Sequence, residues 1–306
     1  MFVFDAHCDT ATAMEEAKKT FAEFDGHVSL DKFAAYDRIM QVFAIWLDDR
    51  RLNSPFNATL DVIRYFKSAI NWRVGVVTGK SDISKNWRRG IISAVLAAEG
   101  GEAIEGSFEK LRVLYNEGLR LITLTWNRAN QLGDSSATPA AGGLTEFGKK
   151  IVREMNFLHM VTDVSHLSDK GFWDVARRCD GPFIASHSNC RSICDHRRNL
   201  TDDQIRAVAE SGGAIGVNFY PEFLRRGGEA SSQDVLRHVD HIIKIAGPKA
   251  VGLGADFDGI EKTPVDLKDA RSYSRLYYMF CARYGVTIAN DIIYGNFFRV
   301  FSSILR

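Results

Sequence analysis

Eight short apolar segments recur along the whole chain and alternate with segments of helical periodicity. Most of the eight are almost continuously apolar rather than alternating between apolar and polar residues, which is typical of buried strands in a parallel sheet. Strands that alternate regularly with helices indicate an α/β fold. The segments are residues 2–7, 42–46, 91–99, 121–126, 158–166, 182–188, 214–220 and 250–257.

The segments between these strands carry helix signals at their ends. Thr201 is expected to begin the helix TDDQIRAVAESGG, which has acids in its first turn and glycines at its end. Eight strands and their helices over about 260 residues predict a (β/α)8 TIM-type barrel, with two extra C-terminal helices from about residues 266–306 packed outside it. Residues 47–90 are longer than one strand–helix step needs and are expected to hold an insertion. A doubly wound open sheet is the alternative architecture.

The composition fits one globular domain, residues 1–306, without a low-complexity linker. A net charge of +1 provides no field for binding nucleic acid or an anionic membrane. No segment reaches the ~18 apolar residues that span a bilayer, and the N-terminus lacks the pattern of a secretion signal. The five cysteines are odd in number and irregularly spaced, so we expect free thiols and a cytoplasmic location.

Side chains that bind metals or transfer protons stand at the ends of five apolar segments. In barrels, catalytic residues lie at the carboxyl-terminal ends of the strands. Because side chains alternate along a strand, His7 and Asp9 are expected to point one way and Cys8 the other. His7 and Asp9 together offer a nitrogen and an oxygen to zinc or a similar ion. A glutamate between two ions would complete a two-metal site. The residues at these ends are His7 and Asp9, Glu99, His166, His187 and Asp256.

Each of these residues also has a simpler explanation when it is considered alone. Glu99 would suit a helix start, and His187 would suit a hydrogen-bonded loop. Their common position at the ends of five segments favours one shared site over coincidence. His238 and His241 are three residues apart in a predicted helix and are expected to lie on a solvated face.

Six motifs, in order along nearly the whole chain, resemble those of the membrane (renal-type) dipeptidases, peptidase family M19 of the amidohydrolase superfamily. The segments SHS…RRNLTDDQI and GADFDG are the most specific of them. The resemblance implies a (β/α)8 barrel that hydrolyses dipeptides with a free C-terminal carboxylate, L,D-dipeptides among them, and that forms a homodimer. The motifs are DAHCDT (5–10), AAEGGEAI (97–104), TDVSHLSD (162–169), SHSNCRSICDHRRNLTDDQI (186–205), GLGADFDG (252–259) and YGNFFRVF (294–301).

The resemblance also implies two zinc ions, although cobalt and manganese can share such ligands. His7 and Asp9 would bind the first ion, and Glu99 would bridge the two. His166 and His187 would bind the second ion. Together the ions would activate a water molecule for attack on the peptide bond.

The remaining implied roles concern proton transfer and substrate binding. Asp256 would carry a proton from the attacking water to the leaving amine, and Arg198 would hold the substrate carboxylate through paired hydrogen bonds. Family members often carry a histidine where LITLTWNRAN has Trp126, whose indole donates a hydrogen bond but cannot accept one. Asn127 and Asn130 are near enough in sequence to compensate. Substrate contacts are therefore expected at Arg198, Trp126, Asn127 and Tyr220.

Two alternative functions stay open at this point. The first is a related metal-dependent amidohydrolase that acts on a non-peptide amide or a lactam. The second is a barrel that binds a ligand without turnover, which the intact set of metal-binding and acid–base positions argues against. Arg198 favours a substrate with a free carboxylate, but it does not distinguish dipeptides from other small acids.

Overall fold

The computed structural model describes all residues, 1–306, and is built around a curled parallel β-sheet. Its strands are β1 (Phe2–Cys8), β2 (Arg38–Ile45), β3 (Val74–Val76), β4 (Ile92–Glu99), β5 (Leu119–Thr123), β6 (Val161–Asp163), β7 (Ile215–Val217) and β8 (Val251–Leu253). Seven of them lie in the order β6-β5-β4-β2-β1-β8-β7, and β3 pairs separately with β4. The last strand therefore lies beside the first, and the predicted α/β class is confirmed.

Helices connect the strands, and the last ones extend the chain beyond β8. They are α1 (Thr10–Ala17), α2 (Leu30–Phe33), α3 (Pro55–Ala69), α4 (Lys80–Arg89), α5 (Phe108–Asn116), α6 (Glu146–Phe157), α7 (Asp169–Ala176), α8 (Asp202–Glu210), α9 (Pro221–Leu224), α10 (Ser232–Ala246), α11 (Tyr273–Tyr284), α12 (Val286–Asn290) and α13 (Asn296–Ile304). The predicted start of α8 is confirmed, because Thr201 and Gln204 form a reciprocal capping box there. No helix combines the length and the apolar character that crossing a bilayer requires.

The observed strands differ from the predicted ones in two segments. Residues 47–90 contain α3, β3 and α4, so the predicted insertion is confirmed as an extra strand and helix. The segment 182–188 forms no regular strand. It makes two parallel bridge pairs instead, from Ile184 to Asp163 of β6 and from Ala185 to Ile215 of β7.

The core consists of two clusters, and the smaller one fills the interior of the curled sheet. Alternate strand residues, such as Phe4 of β1, meet the apolar face of α13 in this cluster. The Phe4 ring centroid lies 5.6 Å from that of Phe297 and 4.9 Å from that of Phe301. Three C-terminal helices, α11 to α13, follow β8 where two were expected. Of these, α13 packs against the amino-terminal end of the sheet, opposite the end where His7 lies.

Candidate metal centre

β1 shifts its register against β2 immediately before the predicted metal-binding pair. Asp5 pairs with Gln41 and Cys8 pairs with Phe43, so three residue steps on β1 match two on β2. Irregularities of this kind re-aim side chains and are frequent beside active sites. The shift leaves the His7 ring fully buried at the carboxyl end of the sheet, while Cys8 packs in the larger core cluster.

Glu99, the last residue of β4, lies at the centre of the site. Its Oε1 is 3.0 Å from Nε2 of His166 and 3.4 Å from Nε2 of His187. Its Oε2 is 3.7 Å from Nε2 of His7. The two carboxylate oxygens of one buried glutamate therefore face different histidines, which come from three separate segments of the chain.

Asp9 and Asp256 also approach His7, at the same ring nitrogen that Glu99 faces. Oδ2 of Asp9 and Oδ1 of Asp256 lie 4.0 Å and 3.9 Å from Nε2 of His7. Asp256 follows β8 with a φ of +63°, a left-handed conformation that is uncommon outside glycine. The Asn218 side-chain amide donates to its Oδ2 at 2.9 Å, which holds the carboxylate toward the site.

Neighbouring polar groups orient the other two histidines. Nδ1 of His166 lies 2.8 Å from Oδ1 of Asn127, and Nδ1 of His187 lies 2.7 Å from the Ser186 hydroxyl. The two Nε2 atoms are consequently 2.9 Å apart. A metal-binding histidine almost always has such a partner on its other ring nitrogen, because the partner fixes the ring's orientation.

The buried carboxylates make the electrostatic potential of the site negative, which favours a positive charge there. Burial lowers the pKa of His7, but the carboxylates of Glu99, Asp9 and Asp256 raise it by more, to about 10. Burial raises the pKa of Glu99, but the surrounding imidazoles hold it well below its usual range. Burial also raises the pKa of Asp256 to about 6, although His7 opposes this shift. The site therefore favours a cation near His7.

The unpaired atoms of the site fit a bound divalent metal. Both ring nitrogens of His7 and Oδ1 of Asp9 are buried without a hydrogen-bond partner, although nearly all buried polar atoms have one. Two groups of residues bring ligand atoms within 4.8 Å of one another: His7 with Glu99 and His187, and His7 with Asp9 and Asp256. Mixed imidazole and carboxylate sets suit zinc and similar ions.

An open cleft of about 420 Å³ lies over these residues. Glu99, His166 and Asp256 form part of its floor, and Trp126 and Tyr220 line its walls. The cleft also includes Asn127, whose amide oxygen contacts His166. The side chain of Asn130 donates to Glu102 at 2.9 Å. The two asparagines that were expected to compensate for Trp126 therefore already have partners.

Arg198 is only 6 % exposed and is not among the residues that line the cleft. Its Nη2 donates to the backbone oxygen of His187 at 3.3 Å, and its Nε is buried without a partner. Burial lowers the pKa of the guanidinium to about 10. A buried, incompletely paired guanidinium is costly unless it meets an anion.

Nine of the residues that line the cleft were absent from the sequence prediction, and four of them bear directly on the site. Trp46 packs edge-to-face on Trp126 with 5.2 Å between ring centroids, and Phe223 lies beside Tyr220. Trp46 ends one apolar run and Phe223 follows another, so no sequence signal distinguishes these two aromatic residues from those of the core. The GADFDG motif does contain the other two residues, Asp258 and Gly259, but the motif alone does not show that they line the cleft.

We expect Gly259→Ala to abolish most activity while leaving the fold intact. A Cβ atom at this position would overlap the Asp9 carboxylate and lie 2.6 Å from Oδ1 of Asp256. Both carboxylates would have to move, and errors of about 1 Å in catalytic geometry cost on the order of 10²-fold in rate. The measurement is kcat/KM together with the melting temperature. Gly181→Ala is the matched control, because a Cβ there meets nothing within 4 Å, and equal kcat/KM for the two variants would refute the crowding argument.

Comparison with known proteins identifies a family for this arrangement. Residues 1–305 match the sequence profile of the membrane dipeptidases, peptidase family M19. An uncharacterized protein from the region 5′ of pqqA in Klebsiella pneumoniae is 35% identical over 243 residues, which are 76% of this chain and 89% of that protein. The crystal structure of a metallopeptidase called dipeptidase AC, of family M19, superposes with a TM-score of 0.90 at 29% identity over 100% of this chain and 99% of its own. A Rhodobacter sphaeroides metallopeptidase, solved with a phosphinate mimic of the dipeptide L-Ala-D-Ala, gives a TM-score of 0.86 at 27% identity over 99% of both chains.

Proposed function

The chain belongs to the membrane dipeptidase family, peptidase family M19, and we propose that it is a binuclear zinc dipeptidase for dipeptides with a free C-terminal carboxylate. The observation that carries the proposal is the position of Glu99. One of its oxygens faces His166 and His187 and the other faces His7, as a carboxylate between two ions requires.

Two ligand sets share Glu99 in this proposal. His7 and Asp9 complete the first set, and His166 and His187 complete the second. When bound, a pair of divalent ions lowers the pKa of a water molecule and polarises the carbonyl group under attack. Asn127 and Ser186, on the far side of the His166 and His187 imidazoles, hold these two rings in position for this purpose.

Asp256 transfers the proton in the proposed reaction. Its carboxylate lies in the cleft, 3.9 Å from His7, and is held there by Asn218. We infer that it accepts the proton of the attacking water and delivers it to the leaving amine. A general base needs a fixed position and an unpaired oxygen, and Oδ1 of Asp256 faces the site while Oδ2 accepts from Asn218.

Arg198 limits the substrate to molecules that end in a carboxylate. The free Nε and the partly used Nη2 of this buried guanidinium can bind both oxygens of one carboxylate. Trp126 and Trp46 form an aromatic wall above the site, where the family often has a histidine. Tyr220 lies in the same cleft and Asn127 supports His166, so we assign Trp126 and Tyr220 to contacts with substrate side chains.

The proposal also covers closure of the barrel, the stereochemistry of the substrate, the oligomeric state and the cellular location. We infer that the curled sheet closes into an eight-stranded barrel, since Ile184 and Ala185 bridge β6 and β7 at its two edges. We propose L,D-dipeptides among the substrates, because a structural relative was solved with a mimic of L-Ala-D-Ala. A homodimer in the cytoplasm remains our expectation, and the five free cysteines agree with a reducing compartment.

The experiment that tests the proposed substrate class is the Arg198→Met substitution. Wild-type protein is expected to hydrolyse a free dipeptide far better than its C-terminal amide. Arg198→Met should reduce kcat/KM for the free dipeptide by the equivalent of ~2–5 kcal/mol and change the rate for the amide much less, because the substrate carboxylate loses its partner. Arg197→Met is the control, since that neighbouring side chain is exposed.

The selectivity between the two substrates separates a binding role from a loss of stability. A poorly folded variant would lose activity toward both substrates in proportion. If the wild type hydrolyses the amide as well as the free acid, the carboxylate-binding role of Arg198 is wrong. The amidohydrolase alternative, acting on a wider range of amides, then takes its place.

A further inference from the structure

We propose that Asp5 and Tyr273 form a positioning pair that sets the geometry of His7 and Asp256, an inference that rests on the proposed metal site. Asp5 is fully buried and belongs to neither ligand set. Tyr273 is the first residue of α11, in the C-terminal extension, and is also fully buried. Neither side chain lines the cleft.

The Asp5 carboxylate accepts hydrogen bonds from three donors at the point where the pairing of β1 with β8 becomes irregular. Its Oδ1 accepts the backbone N–H of His7 at 3.1 Å and that of Ala255 at 3.1 Å. Its Oδ2 accepts the Tyr273 hydroxyl and, at 3.3 Å, the same Ala255 N–H. One side chain thus connects the residue that binds metal on β1 with the residue immediately before Asp256.

The pairing of the two strands explains why a side chain is needed there. Asp5 pairs with Leu253, and the next pair joins Cys8 to Phe257. Three residue steps on β1 therefore match four beyond β8, which interrupts the regular ladder of backbone hydrogen bonds. The Asp5 carboxylate bridges this interruption. Within the interrupted stretch, the Asp256 N–H donates to the His7 carbonyl at 3.2 Å.

Tyr273 supplies the contact that holds the carboxylate itself. Its hydroxyl donates to Oδ2 of Asp5, and its ring lies 5.8 Å from the ring of Phe257, which follows Asp256. Without this donor the carboxylate would keep only its two backbone partners and could rotate. The C-terminal extension therefore contributes to the metal centre from behind the strands, through a residue that touches no ligand.

The test compares the metal affinity of Asp5→Ala and Tyr273→Phe with that of the wild type, measured by competition with a zinc chelator. Loss of a residue that orients a ligand typically lowers metal affinity ~10–100-fold, so Asp5→Ala should lie near the upper end and Tyr273→Phe near the lower end. Tyr36→Phe is the matched control. Tyr36 is a buried tyrosine whose hydroxyl donates to the Ala270 carbonyl at 2.6 Å, away from Asp5.

A merely structural role predicts a different pattern. Both tyrosine variants would then lower the melting temperature of the metal-free protein, and neither would change zinc affinity. Asp5→Asn should retain most of the affinity, because its amide oxygen still accepts the two N–H groups and its NH₂ group can donate to the Tyr273 oxygen. Should Asp5→Ala fail to fold, Tyr273→Phe decides the matter.

Unchanged zinc affinity in Tyr273→Phe, or a loss in Asp5→Asn as large as in Asp5→Ala, would overturn the positioning role. Failure of the proposed metal site, on which this inference rests, has another signature, since wild-type protein would then bind no zinc. The two failures are therefore distinguished by the wild-type measurement alone.

Discussion

Glu99→Ala is expected to lose both bound metal and nearly all activity. Glu99 is the residue whose carboxylate reaches His7, His166 and His187 together, so its removal takes a ligand from both proposed sets. Metal ions contribute several kcal/mol to transition-state stabilisation, which corresponds to a loss of more than ~10³-fold in kcat. Metal content per chain and kcat/KM on one dipeptide give the result.

Glu102→Gln is the control for this experiment. Glu102 is a second buried acid three residues further along, and its carboxylate accepts from Asn130 rather than facing the histidines. The Glu102→Gln variant should therefore keep the metal content of the wild type. If wild-type protein and the Glu99→Ala variant each hold one tightly bound ion per chain, the shared-ligand arrangement is wrong.

Asp256→Asn is expected to keep the fold and the metal but to lose ~10²–10⁴-fold in kcat, the usual contribution of a general acid–base group. Asparagine tolerates the left-handed backbone at this position better than other replacements, and its amide oxygen can still accept from Asn218. It cannot carry a proton. Turnover, metal content and melting temperature should be measured on the same preparation.

Asp258→Asn provides the comparison for Asp256→Asn. Asp258 has a similar φ of +67°, but its carboxylate is occupied by the Thr10 hydroxyl at 2.6 Å and the His27 N–H at 2.5 Å. We expect this variant to affect stability more than kcat. Near-normal kcat in Asp256→Asn would assign the proton transfer to another group.

Much of the proposed site could be predicted because each proposed ligand lies at or just beyond the end of an apolar run. Burial makes such runs visible in a sequence, and the carboxyl ends of parallel strands meet at one edge of a sheet. The structure brings His7, Asp9, Glu99, His166, His187 and Asp256 together at that edge.

The remaining features depend on contacts between distant parts of the chain. Simple alternation correctly separates His7 from Cys8. It gives no sign of the register shift before them, or of the hydrogen bond that Tyr273 donates to Asp5 from 268 residues away in the sequence. The expectation for His238 was wrong. This side chain is fully buried between the Cys190 N–H and the Leu224 carbonyl, partners that helical spacing cannot reveal.

The central claim is that two ions, held through Glu99, are required for dipeptide hydrolysis. The most direct measurement is a stepwise zinc titration of the metal-free protein, with the rate of L-Ala-D-Ala hydrolysis recorded at each addition. We predict no hydrolysis without metal and a rate that reaches its plateau at about two ions per chain. Full activity in the metal-free protein, or a plateau at one ion, would contradict the binuclear account.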